Sequence, residues 1–243
     1  MPIRSLLVAW RILLAVLIFA AGVWAQRSGL VEEFLFYLPD IQYQLIQHIW
    51  LVVMSGGLAI IVAIPLGVLL SRPSMARFAE SLMQVLNIGT TIPTLAILAL
   101  SMSFLGIGTL PAVFGLFVAT LLPITRNTYA GLKGVSPALM EAAAGIGMSP
   151  TQRLLRVELP NALYVIFAGV RTAMALNVGT VPLAFLIGAG GLGALIFTGI
   201  VLYDPMMMLA GAITTSLLAV VVDTLIAIVA FLIVPRGVNP ARA

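Results

Sequence analysis

Residues 136–160 read S-P-A-L-M-E-A-A-A-G-I-G-M-S-P-T-Q-R-L-L-R-V-E-L-P, and they lie between long apolar runs. Ser136 is placed to N-cap a first helix with Pro137 at its first position, where a missing N–H costs nothing. Gly147 is placed to stop that helix in a left-handed conformation, which a residue without Cβ adopts easily. Ser149 then caps a second helix, with Pro150 at its first position and Gln152 at its third completing a capping box. Leu159-Pro160 closes the segment. The reading is two short helices set at an angle, a solvent-facing elbow between membrane spans. Its Ala-rich first arm has so little side-chain bulk that another protein can approach the backbone closely. The plainer alternative is an amphipathic cytosolic loop with ordinary caps.

Composition makes the rest of the chain membrane. Of 243 residues 62% are hydrophobic and 8% charged, with mean hydropathy +1.18; soluble domains are about a quarter charged. No hydrophilic stretch is long enough for a separate soluble domain. Cysteine is absent, which excludes disulfides and thiolate metal sites. The single histidine, His48, falls at an expected membrane edge without Cys or carboxylate company, so it reads as interfacial rather than as a metal ligand. A net charge of +4 would suggest nucleic acid in a soluble protein, but the positive-inside rule accounts for it here, and no nucleic-acid partner is expected.

Six apolar spans of about 20 residues can be drawn, each long enough for a ~30 Å hydrocarbon core: 5–26, 48–70, 81–103, 110–127, 161–187 and 206–234, all in one transmembrane domain over 1–243. Arg4 and Arg11 mark the first inner end, and Arg72 and Arg77 the second loop. Arg126, Lys133, Arg153 and Arg156 load the loop at 128–160, and Arg236 and Arg242 the C-terminus. With only Arg27 outside and Arg171 within a span, both termini are expected in the cytoplasm. Trp24, Trp50 and Tyr203 fall at outer boundaries and Trp10, Tyr129 and Tyr164 near inner ones, as interfacial rings prefer. The first apolar run is too long for the core of a signal peptide, so it reads as an uncleaved helix. From Leu30 to Leu45 the apolar residues Val31, Phe34, Leu35, Leu38, Ile41 and Leu45 recur at helical spacing, which suggests an amphipathic helix on the outer membrane surface.

Two spans are interrupted. The third holds Asn87, Thr90, Thr91, Pro93 and Thr94, and the fifth Asn177, Gly179, Thr180 and Pro182. Pro93 removes a helix hydrogen bond, and the threonines are placed to satisfy the freed carbonyl. Asn87, Thr90, Thr91, Pro93, Thr94, Asn177, Thr180 and Pro182 are therefore candidates for a translocation path; interhelical hydrogen bonding is the equal alternative. Arg171 and Asp223 lie at matched depth, roughly 15 Å inside the fifth and sixth spans. A lone charge there costs at least about 2.5–3.5 kcal/mol, so each seeks a partner or a hydrated cavity. One reading pairs them to fix helix packing. The other gives Arg171 to the cytoplasmic part of the path, where it would repel or steer a charged solute.

Gly188-Ala189-Gly190-Gly191-Leu192-Gly193 fits G-x-G-x-x-G, but no strand precedes it and the next acid, Asp204, comes too soon for a dinucleotide fold. It reads as a flexible outer turn. The chain contains no G-x-x-x-x-G-K-[ST], so any ATP that drives it binds a partner, and no cofactor or metal is expected.

The elbow also carries a resemblance. Glu141-Ala142-Ala143, then Gly147, Val157 and Leu159-Pro160 at their spacing resemble the EAA loop of ABC-importer permeases, with Val157 in place of the commoner Ile. Thr91-Ile92-Pro93, residues 105–111, Leu122-Pro123-Ile124 with Arg126-Asn127-Thr128, Ala168-Gly169 with Arg171-Thr172-Ala173, and residues 187–193 extend the likeness over roughly 45–235. In this combination the chain resembles permeases of the glycine betaine/carnitine/choline (osmoprotectant) ABC importers. The resemblance implies an all-α, MetI-like type I permease of six transmembrane helices in a bacterial cytoplasmic (inner) membrane. It implies docking of cytoplasmic ABC ATPase subunits through Glu141, Ala142, Ala143, Gly147, Leu159 and Pro160. It also implies a second permease chain, the same or homologous, and a separate extracytoplasmic substrate-binding protein. Transport would follow alternating access, with ATP hydrolysed on the ATPase and not on this chain.

Two other classes fit less well. An ion-coupled secondary transporter or channel needs ionisable residues along a path, and only Arg171 and Asp223 lie clearly within spans, away from their ends. An intramembrane enzyme needs a nucleophile with a base or a metal site, for which Cys, a second His and an intramembrane acidic pair are all missing.

Overall fold

A computed structural model describes residues 29–238 and, before them, Trp10 and residues 12–13, 15–16, 19–20, 22–23 and 26–27. The expected first span at 5–26, with Arg4, Arg11 and Trp24, lies largely outside the described residues, as does Arg242. The described chain is helical: α1 Leu30–Phe36, α2 Leu38–Leu70, α3 Ala76–Gly89, α4 Thr94–Leu105, α5 Thr109–Lys133, α6 Pro137–Gly145, α7 Pro150–Arg153, α8 Leu159–Thr180, α9 Gly193–Leu202 and α10 Pro205–Ile233. A π turn, Leu154–Glu158, joins α7 to α8, and a 3-10 turn, Val181–Ile187, follows α8.

Four of these helices are long and apolar enough to cross a membrane: Leu38–Leu70, Thr109–Lys133, Pro150–Ile187 and Pro205–Ile233. The expected third span, 81–103, is instead two helices bent by 102°, so of the five drawn spans that fall among the described residues four are single apolar runs and one is this bent pair. The break lies at Thr90–Pro93. There the Thr90 hydroxyl donates to the Asn87 carbonyl (2.7 Å) and the Thr91 hydroxyl to that of Ile88 (2.7 Å), so carbonyls at the end of α3 are satisfied locally.

α5 is the central helix, packed against α2, α4 and α8. Small residues allow the approach. A Cβ on Gly67 would lie 2.6 Å from the Thr128 Cβ, and one on Gly169 would overlap Asn127. Between these helices Leu51, Leu98, Leu116, Ile124 and Val178 are fully buried. A polar junction crosses the same core: the buried Asn177 amide donates to Ser55 Oγ (3.0 Å) and Thr120 Oγ1 (2.7 Å), tying α8 to α2 and α5.

A smaller core closes the end expected to lie outside. Ile41, Leu192, Leu195 and Ala210 are packed with Phe34, Tyr37, Leu45 and Met207. The surface helix expected over Leu30–Leu45 is thus divided: α1 ends at Phe36, and residues from Leu38 onward begin α2 and face this core as well as the exterior. The Tyr37 hydroxyl donates to Asp204, whose carboxylate also accepts the Met206 and Met207 amides (3.0 and 2.9 Å) at the start of α10. The Met207 amide first, and then Tyr37, hold the Asp204 carboxyl below the usual carboxylate range, and the shared bond raises the Tyr37 phenol.

His48 corrects its reading. It is fully buried, not interfacial, with Nε2 3.1 Å from the Val178 carbonyl. The glycine turn lies over it and is held down: Gly188, Gly190 and Gly191 take positive φ, and the Gly191 amide donates to Gln47 (3.2 Å). A Cβ at 190 would overlap the end of the Gln47 side chain, while one at 191 would only touch His48, where the positive φ is the constraint.

Two outcomes follow. Asn177→Ala should lower unfolding free energy in detergent by about 0.6–1.7 kcal/mol, the range measured for interhelical membrane hydrogen bonds; a melting temperature equal to wild type would show the junction to be idle. A lowered carboxyl pKa contributes stability that is present at neutral pH and lost as pH falls through the lowered value. Asp204→Asn should therefore flatten the acid side of the stability–pH curve, read by thermal unfolding across the acidic range.

Candidate functional site

The elbow is built by local rules. α6 starts at Pro137, but the Ser136 side chain makes no capping bond, so the ring alone sets the start. Its end is a Schellman motif: the Met148 amide donates to the Ala143 carbonyl (3.1 Å) and the Gly147 amide to that of Ala144 (2.9 Å), with Gly147 at φ 82. Ser149 and Gln152 form the full capping box, with Gln152 N to Ser149 Oγ at 3.3 Å and Ser149 N to Gln152 Oε1 at 2.9 Å.

Leu159-Pro160 does not close the segment. α7 runs through the π turn into α8, and Leu159 packs on the main core. The widened turn accommodates the N–H that Pro160 lacks, and Asn161 Nδ2 donates to the Val157 carbonyl there (2.7 Å). On the first arm Glu141, Ala142, Ala144, Gly145 and Gly147 are exposed, while Ala143 is buried. Ile146 is 75% exposed, a large apolar side chain left open at the tip of the elbow.

The interrupted spans meet in part. Thr90, Thr94, Asn177 and Thr180 line one cavity of about 170 Å³ between α3, α4, α5 and α8, with Thr120 and Pro123 opposite. Asn87, Thr91 and Pro93 are exposed and do not line it, and Pro182 is buried under Gly193. Asn177 is both a lining residue and the centre of the polar junction, so lining and interhelical bonding are one arrangement here.

Arg171 and Asp223 stand together as a two-pronged ion pair, Nε to Oδ1 at 2.9 Å and Nη2 to Oδ2 at 2.7 Å. Their side chains are 43% and 37% exposed. α10 buries only Met206, Ala210, Gly211 and Thr215, all near its start, so Asp223 comes from the open half of that helix.

A second ion pair escaped the sequence reading. Arg72, just past α2, reaches Glu158 in the π turn, and Glu158 is 7% exposed. Arg72 also donates to Ser71 Oγ (2.8 Å) and the Val68 carbonyl (3.2 Å). The loop after α2 is thereby tied to the base of the elbow. Nothing in the local pattern joins residues so far apart in the chain; the only signal is that Glu158 is one of two acids, with Glu141, in a positively charged loop.

Residues 63–235 match the family described as the binding-protein-dependent transport system inner membrane component. The chain belongs to this family. It is 50% identical over 216 residues to the osmoprotectant import permease protein OsmY of Salmonella typhimurium, covering 89% of this chain and 88% of that one. It is 40% identical over 200 residues to the glycine betaine/carnitine/choline transport system permease protein OpuCB of Bacillus subtilis, covering 82% and 91%. Among solved structures it is similar to the MetNI methionine ABC transporter in an inward-facing conformation, with TM-score 0.68 and 25% identity over 82% of this chain and 96% of that one.

This inner membrane component is accordingly a multi-pass, all-helical membrane protein with a MetI-like fold, an ABC permease and not itself the ATPase. A binding-protein-dependent system implies an ATPase and a binding protein as its partners. Within the permease, Arg72→Ala leaves the nearly buried Glu158 carboxylate without its partner. It should cost about 1–3 kcal/mol of stability in detergent unfolding, and the exchange Arg72→Glu with Glu158→Arg should regain part of it. A single substitution that unfolds like wild type would show that the pair does not hold the loop.

Proposed function

We propose that this chain is the transmembrane subunit of an ATP-driven importer that moves quaternary-ammonium osmoprotectants, such as glycine betaine, choline and carnitine, into the cytoplasm. The observation that carries the reading is the 50% identity to an osmoprotectant import permease over nearly nine-tenths of the chain. In this reading the domain at 1–243 has six spans, with both termini and the 128–160 loop cytoplasmic. Two such permease chains, identical or homologous, assemble with two ATPase subunits, and an extracytoplasmic binding protein delivers the ligand.

The exposed arm around Glu141, Ala142 and Gly147 is the docking surface for the ATPase, and Ala143, Leu159 and Pro160 fix its base. ATP binding closes the ATPase pair, the arm moves with it, and the permease pair opens outward. The cavity lined by Thr90, Thr94, Asn177 and Thr180 belongs to the path. Selection among amines rests mainly with the binding protein, because quaternary ammonium groups favour aromatic cages and no aromatic residue among the described ones lines this cavity.

The direct test is uptake of labelled glycine betaine and choline into proteoliposomes holding the permease with its ATPase and binding protein. ATP-dependent uptake is expected, and uptake that continues without ATP on an ion gradient would overturn the reading. Gly147 has open space around its Cβ position but a left-handed φ. Gly147→Trp should therefore leave the protein in the membrane while abolishing ligand-stimulated ATPase activity; normal stimulation would remove the docking role. Reporter fusions after Lys133 should read cytoplasm and those near Glu33 and Gly191 outside, and an external signal at Lys133 would put the elbow out of the ATPase's reach.

A further inference from the structure

The Arg171–Asp223 pair is too open for a clamp alone. Both side chains lie near mid-depth in their helices, about 14–18 Å from either end of α8 for Arg171 and about 15 Å from the end of α10 for Asp223. Neither makes another hydrogen bond among the described residues, so the guanidinium keeps free N–H groups and the carboxylate free lone pairs. The pair lines a cavity of about 440 Å³ whose other walls are Ala168, Thr172, Ala175 and Leu176. Three of those walls are small side chains, and the Thr172 hydroxyl is turned back to the Ala168 carbonyl (3.0 Å). Leu176 is shared with the cavity that holds Thr90, Thr94, Asn177 and Thr180. The two spaces therefore adjoin along α8.

A charged pair exposed at this depth is tolerated where water or a polar ligand reaches it, and not against lipid tails. We propose that it is a transient binding site for the zwitterionic osmoprotectants during passage, an inference that rests on the function proposed above. The ligand carboxylate accepts from the unused guanidinium N–H groups, and the ligand's quaternary ammonium lies against the Asp223 carboxylate. That ammonium has no N–H, so it is held by charge and contact alone. Glycine betaine and carnitine carry both groups and engage both residues. Choline lacks the carboxylate and engages only Asp223, leaving Arg171 with no ligand partner.

The test compares glycine betaine and choline uptake by the complete reconstituted transporter with its binding protein unchanged, so delivery is common to all variants. Arg171→Lys keeps the charge and loses the planar fork. It should lower glycine betaine uptake about tenfold while choline uptake stays within about twofold. Ala175→Leu narrows the cavity while leaving both charged groups in place, and should slow both substrates. A purely structural pair gives the opposite pattern: an unchanged ratio of the two uptakes in Arg171→Lys, no loss in Ala175→Leu, and recovery of both in the exchange Arg171→Asp with Asp223→Arg. That pattern overturns the inference. A wild-type transporter that imports neither compound refutes the proposed function instead, so the two failures are distinct.

Discussion

In hydrocarbon every backbone carbonyl that a broken helix releases must find a donor inside the protein, and that requirement shapes this permease more than any single contact. Each described break is repaired on the spot. Thr90 and Thr91 turn back onto the last carbonyls of α3. Asn161 takes the Val157 carbonyl inside the π turn. The 3-10 turn after α8 gives its Ile187 carbonyl to the Gly108 amide of the loop between α4 and α5 (2.7 Å). Of these breaks, the one at Thr90–Pro93 borders the candidate path, whose lining includes Thr90, Ile92 and Thr94.

Much of this could be read in the sequence, because the signals are local. The capping box at Ser149 and Gln152 and the left-handed Gly147 follow from side-chain geometry within a few residues, and both are present in the structure. Ser136 shows the limit: a competent capping residue at the right position stays unbonded because Pro137 already sets the helix start. Apolar periodicity placed the spans but not their ends. α2 begins ten residues before the expected 48, since the sequence marks an amphipathic stretch without saying whether it turns along the membrane or continues into it.

What was not legible is whatever depends on distant partners. Pro160 reads as a stop, yet the π turn lets the helix pass it. Pro93 reads as a kink, and with the Thr-rich stretch before it becomes a 102° bend. His48 reads as interfacial because its burial comes from Val178 and the glycine turn, over 120 residues away. Arg171 and Asp223 could be matched by depth alone, since antiparallel neighbours place equal depths side by side; their exposure could not, because it depends on how much of α10 leans away from the core.

One helical rod links these features. From Pro150 through the π turn to Thr180 the chain carries, in order, the second arm of the elbow, Glu158 bound to Arg72, Arg171 bound to Asp223, and Asn177 bound to Ser55 and Thr120. The three partners come from three different places: the loop after α2, the open half of α10, and the α2–α5 core. The first attachment is nearly buried and the third wholly so, while the middle one is open. A displacement entering at the elbow therefore meets firm anchorage at both ends of the rod and its weakest hold at the ion pair in between. The π turn lies at the first of these anchorages, since Glu158 is its last residue. On that arrangement the ion pair is the least buried of the three attachments, and Leu176 separates its cavity from the one lined by Thr90, Thr94, Asn177 and Thr180.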